Sequence, residues 1–251
     1  MAQAKTNIVI TMGGNGTRFT KAGFDQPKYM IAANGRSLFL WSLLSLDAFL
    51  VNANVIFVVK KEDNADDFIA SECQKAGLSD YQIMPLEQLT NGQATSAALS
   101  VDLWDDTCPL AIYNIDTFIE PFNLVPPQAQ DVDGLFPCFV AEGDHWSFAK
   151  IDDNGIAVEV AEKRRISQYA SIGLYWFKTT QLFLDAFKAT YSQDDSLVNG
   201  EAYIAPLYKY IIDKGLRVKV DVIANNVVHP IGTPAELAVF KALPERFSFS
   251  F

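Results

Sequence analysis

The chain has 251 residues, 49% of them hydrophobic and 20% charged, with a formal net charge of −10. That composition describes a globular protein with a sizeable core, built as one or two domains. The acidic balance argues against nucleic acid and anionic membranes as partners, while a small anionic substrate is admitted wherever cations gather locally.

Ile8, Val9 and Ile10 predict a buried parallel strand ending at Thr11-Met12. Gly13, Gly14 and Gly16 follow within four residues. Lacking side chains, they let backbone N–H groups approach a ligand, and successive amides in a tight turn form an anion-binding concavity. Arg18 adds a fork of fixed positive charge and Lys28 a compact second cation. Two cations and a glycine turn at one strand end point to a nucleoside triphosphate. The spacing is neither a Walker loop nor the dinucleotide G-x-G-x-x-G, since Phe19 stands where the third glycine belongs.

Ser37 is the predicted N-cap of a helix running to about Phe49, with Leu38, Trp41, Leu44 and Ala48 on one face and Trp41 in the core. The window from Leu38 to Val51 is too short and too interrupted to span a bilayer. A strand over Val55 to Val59, a helix from Asn64 to Ala76 closed by Gly77, and a strand over Tyr81 to Met84 follow. This alternation predicts a doubly wound sheet. Asn91-Gly92-Gln93 is a polar turn before a small-residue helix, whose close packing on the sheet and whose use as a ligand edge stay open. Leu110 to Thr117 is an apolar strand ending in one acid, Asp116. A carboxylate at the carboxyl end of a central strand sits where α/β crevices form, and one hard oxygen ligand plus phosphates suits Mg²⁺.

From Gly134 the pattern changes to antiparallel strands over Leu135 to Val140, Trp146 to Asp152 and Ile156 to Glu162, with a hairpin turn at Asp152-Asp153-Asn154-Gly155. Ile172 to Phe177 is a further strand, and Gly173 inside it suggests close approach of a ligand or another backbone. Helices are predicted over Thr179 to Thr190 and Ala202 to Lys214, the second ended by Gly215, and a strand over Leu216 to Val222. The tail from Phe247 to Phe251 alternates with period two, as an edge strand or subunit contact would. Cys73, Cys108 and Cys138 are odd in number and widely spaced. They form neither a disulfide framework nor a zinc pattern, and with an N-terminus lacking a signal-like apolar region they suggest a cytoplasmic protein.

Gly14-Asn15-Gly16-Thr17-Arg18-Phe19 followed by Pro27-Lys28 resembles the G-x-G-T-R-F and Pro-Lys signature of the sugar-phosphate nucleotidyltransferases, the sugar-nucleotide pyrophosphorylases and their cytidylyltransferase relatives. The resemblance covers most of the chain, and its specific part is the first forty residues. It implies an α/β, Rossmann-like doubly wound mixed sheet with a small antiparallel acceptor-binding subdomain. It also implies a single domain over 1–251, with a nucleotide-binding half to residue 122 and an acceptor-binding half from 123. The triphosphate would lie on Met12, Gly13, Gly14, Asn15, Gly16 and Thr17. Gly92 and Gln93 would contact the base with Thr90 nearby, and Asn114 would line the nucleotide side. Arg18, Lys28 and Lys163 would be catalytic, and Asp116 would hold Mg²⁺. Glu162-Lys163, Gly173 and Glu201 match the family's acceptor-binding elements.

His229-Pro230-Ile231-Gly232-Thr233-Pro234-Ala235-Glu236-Leu237 resembles the closing D-x-G-T-x-x-(D/E)-L segment, but Pro230 stands where many relatives place a second metal-binding Asp. The implied partners are a nucleoside triphosphate and a phosphorylated small-molecule acceptor, with a homo-oligomer left open. The implied reaction is nucleotidyl transfer, to a sugar 1-phosphate foremost and to a polyol or choline phosphate as the alternative. A nucleotide-sugar glycosyltransferase would want an Asp-x-Asp motif, of which Asn114-Ile115-Asp116 supplies one acid. A nucleotide-sugar binder without turnover is the reading outside catalysis.

Overall fold

A computed structural model describes residues 5–127, 132–192 and 196–243, so the Phe247 to Phe251 tail lies outside the described residues. The chain begins with β1 (Thr6–Thr11) and the short helix α1 (Thr17–Lys21). A small hairpin of β2 (Ala32–Ala33) and β3 (Arg36–Ser37) leads into α2 (Leu38–Ser45) and α3 (Asp47–Leu50). Then come β4 (Ala53–Lys60), α4 (Asp66–Lys75), β5 (Gln82–Leu86), α5 (Gln93–Ala98) and β6 (Leu110–Asn114).

The second half contributes β7 (Thr117–Ile119), β8 (Gly134–Leu135), β9 (Cys138–Val140), β10 (Ser147–Ile151) and β11 (Ala157–Glu162). It continues through β12 (Tyr169–Ser171), β13 (Leu174–Phe177), α6 (Thr180–Thr190) and α7 (Leu207–Asp213). The last elements are β14 (Val218–Lys219), β15 (Val228–Pro230) and α8 (Pro234–Lys241).

Seven strands form the main sheet in the order β14-β8-β13-β6-β1-β4-β5. The run β6-β1-β4-β5 is parallel, while β13 joins it antiparallel to β6. Both faces are covered. Ile8 and Ile10 of β1 pack with Phe39, Ile69 and Cys73 of α2 and α4, while Val9, between them, packs with Ala94, Phe183 and Leu207 of α5, α6 and α7. Period-two alternation sends successive side chains into the two layers, and each fully buried aliphatic or aromatic side chain contributes about 1.5–3 kcal/mol. The second, four-stranded sheet runs β11-β10-β12-β9, with all its pairs antiparallel. The architecture is therefore the expected mixed α/β sheet with an antiparallel subdomain. All three cysteines are free and buried, and burial pushes the Cys73 thiol up to about 12. Among the described residues no helix is long and apolar enough to cross a membrane.

Several elements are shorter than the sequence pattern predicts. The helix from Ser37 breaks at Leu46, and all eight residues of α2 are buried rather than one face of it. The run Leu135 to Val140 divides between the two sheets, because Pro137 has no N–H to continue a ladder. The strand through Asp116 stops at Asn114 and resumes as β7. The predicted Ala202 helix begins only at Leu207, with Pro206 as its N-cap, since proline lacks the intrahelical donor. Residue 202 lies outside the helix, its backbone bonded to Asn91 and Ala94.

Candidate active site

β1 and β6 are central neighbours, with Thr11 opposite Asn114. Their carboxyl ends deliver the glycine loop and Asp116 to one crevice, the place where an open α/β sheet binds ligands. Met12 is buried and its N–H donates to the Val58 carbonyl at 2.8 Å, so its amide belongs to the strand and not to the cradle. Beyond it the loop turns free. Among the described residues the N–H groups of Gly13, Gly14, Asn15, Gly16 and Thr17 meet no protein acceptor. Gly13 lies on the sheet, where a Cβ would stand 2.6 Å from Leu86 Cδ1, whereas Gly14 faces open space. Gly16 has φ +57° and caps α1, whose first turn carries Arg18. Successive unpaired amides beside an exposed guanidinium form an anion site.

Lys28 follows Pro27 in a one-turn 3₁₀ helix. The adjacent Tyr29 anchors that turn in the core and donates its hydroxyl to Asp63 Oδ2 at 2.9 Å. Lys28 Nζ forms an ion pair with Asp116 Oδ1. The lysine side chain is 21% exposed and the carboxylate 41%. Burial, then the charge of Arg18, lowers the Lys28 ammonium to about 8, with Glu236 opposing the shift. Arg18 is thus near enough for its charge to act on the Lys28 ammonium. Gly232 closes over Asp116, where a Cβ would lie 3.1 Å from Asp116 Cβ, and Ile231 N–H donates to the Asp116 carbonyl at 2.7 Å.

Pro230 pairs with Thr117 and brings no side-chain ligand. His229 Nε2 lies 3.0 Å from Glu120 Oε1, and its ring stacks on Phe118. Among the described residues no three His, Cys, Asp or Glu side chains gather in a metal-binding group. The donor set fits a divalent ion that arrives with phosphate oxygens and takes one carboxylate. It does not fit an ion held by protein ligands alone.

At the base side, Thr90 Oγ1 lies 2.6 Å from Ser96 Oγ and donates to the Gly92 carbonyl at 3.0 Å, so its hydroxyl organises the loop. Gln93 Nε2 donates to Thr11 Oγ1 at 3.0 Å, which leaves its carbonyl oxygen without a partner among the described residues. Gly92 has φ +147°, and a Cβ there would stand 2.5 Å from both the nitrogen and the oxygen of Ala202. Ala202 N–H donates to the Asn91 carbonyl at 2.7 Å, and Ala94 N–H to the Ala202 carbonyl at 2.9 Å. Gly92 is thus required by a neighbouring backbone.

On the far side, Glu162 ends β11 and Lys163 follows with φ +50°, a conformation that a non-glycine residue adopts at an energetic cost. Burial raises the Glu162 carboxyl, a hydrogen bond from Ser147 and the charge of Lys163 oppose it, and Glu201 adds to it. The charges of Lys163 and Glu201 both act on the Glu162 carboxyl. Lys163 Nζ hydrogen-bonds the Tyr203 hydroxyl and sits 4.3 Å from the centre of that ring. Gly173 is different. It has φ +87°, and a Cβ there would stand 2.1 Å from Asn114 Oδ1. The close approach predicted at Gly173 is that of the Asn114 side chain, whose Oδ1 also accepts from Asp116 N–H at 3.4 Å. Sequence reasoning passed over Thr11 and Tyr203 as site residues, and placed Glu236 in the closing segment without a role at Lys28. A polar residue closing an apolar strand was the available signal for Thr11, and the Glu201-Ala202-Tyr203 spacing gave none for Tyr203.

A doubly wound sheet with a free-amide loop, two cations and a carboxylate at the crevice defines a nucleotide-binding transferase frame. No family model and no curated protein sequence matches the chain. Among solved structures, the nucleoside-diphosphate-sugar pyrophosphorylase from Vibrio cholerae RC9 is 34% identical, with a TM-score of 0.87, over 94% of this chain and 100% of that one. The inositol-1-phosphate CTP transferase from T. maritima shares the fold at 16% identity, with a TM-score of 0.76, over 96% of each chain. The chain belongs to the sugar-phosphate nucleotidyltransferases, and it is an enzyme of the nucleotidyltransferase type.

Proposed function

We propose that the enzyme transfers a nucleoside monophosphate from a nucleoside triphosphate to a sugar 1-phosphate and releases pyrophosphate. The observation that carries this reading is the convergence of unpaired amides at Gly13 to Thr17 with Arg18 and Lys28 at the mouth of β1. The Gly13 to Thr17 amides and Arg18 hold the β- and γ-phosphates, and Lys28 steadies the α-phosphate as charge builds. Gln93 and the Gly92 loop take the base, with Thr90 and Asn114 shaping its edge. Glu162, Lys163 and Glu201 take the acceptor, with Lys163 on its phosphate and Gly173 behind Asn114. An acceptor phosphate oxygen attacks the α-phosphorus, the bond to the β-bridging oxygen breaks, and pyrophosphate leaves. The nucleophile is already anionic, so no general base is needed, and the protein contributes positioning and charge neutralisation.

Asp116 would hold Mg²⁺ through its carboxylate, and the ion would supply neutralisation of the phosphate oxygens when bound. The proposed division is one domain with a nucleotide half to residue 122 and an acceptor half after it. The test is a pyrophosphate-release screen of nucleoside triphosphates against sugar 1-phosphates and other small phosphates. Turnover with a sugar 1-phosphate supports the reading. Pro230, in place of a second acid, favours a second reading, cytidylyl transfer to a polyol phosphate, and turnover on that acceptor alone would establish it. Tight nucleotide binding with no pyrophosphate from any pair overturns both.

A further inference from the structure

The segment Glu201-Ala202-Tyr203 touches both halves of the crevice. Its backbone is fixed by the Gly92 loop through the two Ala202 hydrogen bonds, and Tyr191 donates its hydroxyl to the Tyr203 carbonyl at 2.6 Å. The Tyr203 ring therefore projects from a main chain with little freedom. Its hydroxyl accepts from Lys163 Nζ, its ring lies 4.3 Å from the same ammonium, and burial, then the nearby Glu201 carboxylate, raises the phenol's pKa. Arg18 acts electrostatically on this phenol as well.

Lys163 meets no carboxylate within salt-bridge distance among the described residues. Its side chain is held by a neutral hydroxyl and a ring face, and its backbone by Lys163 N–H donating to the Trp146 carbonyl at 2.9 Å. A phenol and a π-face orient an ammonium without neutralising it. A carboxylate in that place would hold the lysine and compete with an incoming anion.

We propose that Tyr203 is the positioning residue for Lys163, aiming an unneutralised ammonium at the acceptor's phosphate and tying its place to the base loop through Ala202. The inference rests on the nucleotidyl-transfer reading, because the anion it serves is the acceptor. The structural pairing can be tested without turnover. Reductive methylation with ¹³C-formaldehyde places a dimethyl probe on each lysine, and the Lys163 signal is assigned by its loss in Lys163→Met. Ring proximity is expected to shift that signal upfield, Tyr203→Leu to abolish the shift, and glucose 1-phosphate, added with the nucleotide, to move it. A Lys163 signal identical in Tyr203→Leu and the parent overturns the proposal.

Kinetics with the substrate pair found in the screen give the second test. Tyr203→Phe, which keeps the ring and the fold, is expected to raise the acceptor KM about ten- to hundredfold, the range for losing a hydrogen bond to a charged group. The nucleotide KM and the melting temperature should hold. In the double variant with Lys163→Met the Tyr203 effect is expected to vanish, since both changes remove one arrangement. Additive losses, or a loss confined to the nucleotide KM, overturn the proposal and leave the acceptor role of Lys163 standing. A normal acceptor KM in Lys163→Met overturns that role and the proposal together.

Discussion

Replacing Lys28 tests the charge arrangement most directly. Burial and Arg18 bring its ammonium to about 8 in the free protein, against about 10.4 for an unperturbed lysine. At pH 7.5 about three quarters of the molecules then carry the charge, and at pH 9 about a tenth do, by the ordinary titration relation. If the charged form meets the α-phosphate as proposed, kcat/KM should be level below pH 7 and should fall roughly tenfold per unit above pH 8. In the substrate complex the triphosphate favours the ammonium, so the alkaline limb of kcat should lie at higher pH than that of kcat/KM.

Lys28→Arg keeps a charge across this range and should push the kcat/KM break beyond pH 9 even with lower activity. Lys28→Met removes the cation and should lower kcat by about 10²–10³, the scale measured for one transition-state donor. The assay is pyrophosphate release with the pair found in the screen, from pH 6 to 10. A break near 8 that survives in Lys28→Arg, or a parent profile flat to pH 10, refutes the reasoning.

Arg18 is exposed and ion-paired to nothing among the described residues, so Arg18→Ala should leave the melting temperature within about 1 °C while lowering kcat by about 10²–10³; equal melting and equal turnover would remove it from the site. Gly92→Ala sets a Cβ against the Ala202 backbone at 2.5 Å with φ +147°. It should cost at least about 2 kcal/mol, a fall of about 5 °C in calorimetry for a chain of this size. Gly173→Ala must displace the Asn114 amide, now 2.1 Å from the added atom, and should lower stability by about 1–3 kcal/mol in urea unfolding and raise the nucleotide KM with it. Trp41→Ala, at 0% exposure with its indole N–H on the Ala33 carbonyl at 2.8 Å, should cost about 3–5 kcal/mol by the same assay and leave KM values unchanged.

The parallel half of the sheet was legible because its signals are local. Ile8 to Ile10, Val55 to Val59 and Leu110 to Tyr113 are apolar runs bounded by polar residues or proline, and the structure builds β1, β4 and β6 from them. The glycine loop and Asp116 were legible for the same reason, each following its strand directly. What stayed hidden depends on approach in space. Gly92 and Ala202 are 110 positions apart, and nothing near either announces the contact that demands a glycine and unwinds the expected helix. Gly173 carried a correct signal of close approach, but its agent, the Asn114 amide, could be named only once β6 and β13 were paired. Glu236 reads as a first-turn acid of α8 behind its Thr233 cap, and its influence on Lys28 arises from the fold alone.

The ion pair between Lys28 and Asp116 bears on how the proposed site would work with a single carboxylate. In the free protein each group has the other as counter-charge, so neither is left partly buried and unpaired, a state that is expensive for any ion. In the proposed reaction a magnesium triphosphate brings one cation and several anionic oxygens together. The ammonium would then pair with phosphate and the carboxylate would hold the metal, so that one pairing would be exchanged for two. Metal alone would satisfy Asp116 while stranding Lys28, and free triphosphate would do the reverse. The exchange thus favours the complex over either component, and it follows from one lysine, one aspartate and the proline at 230 that adds no second acid.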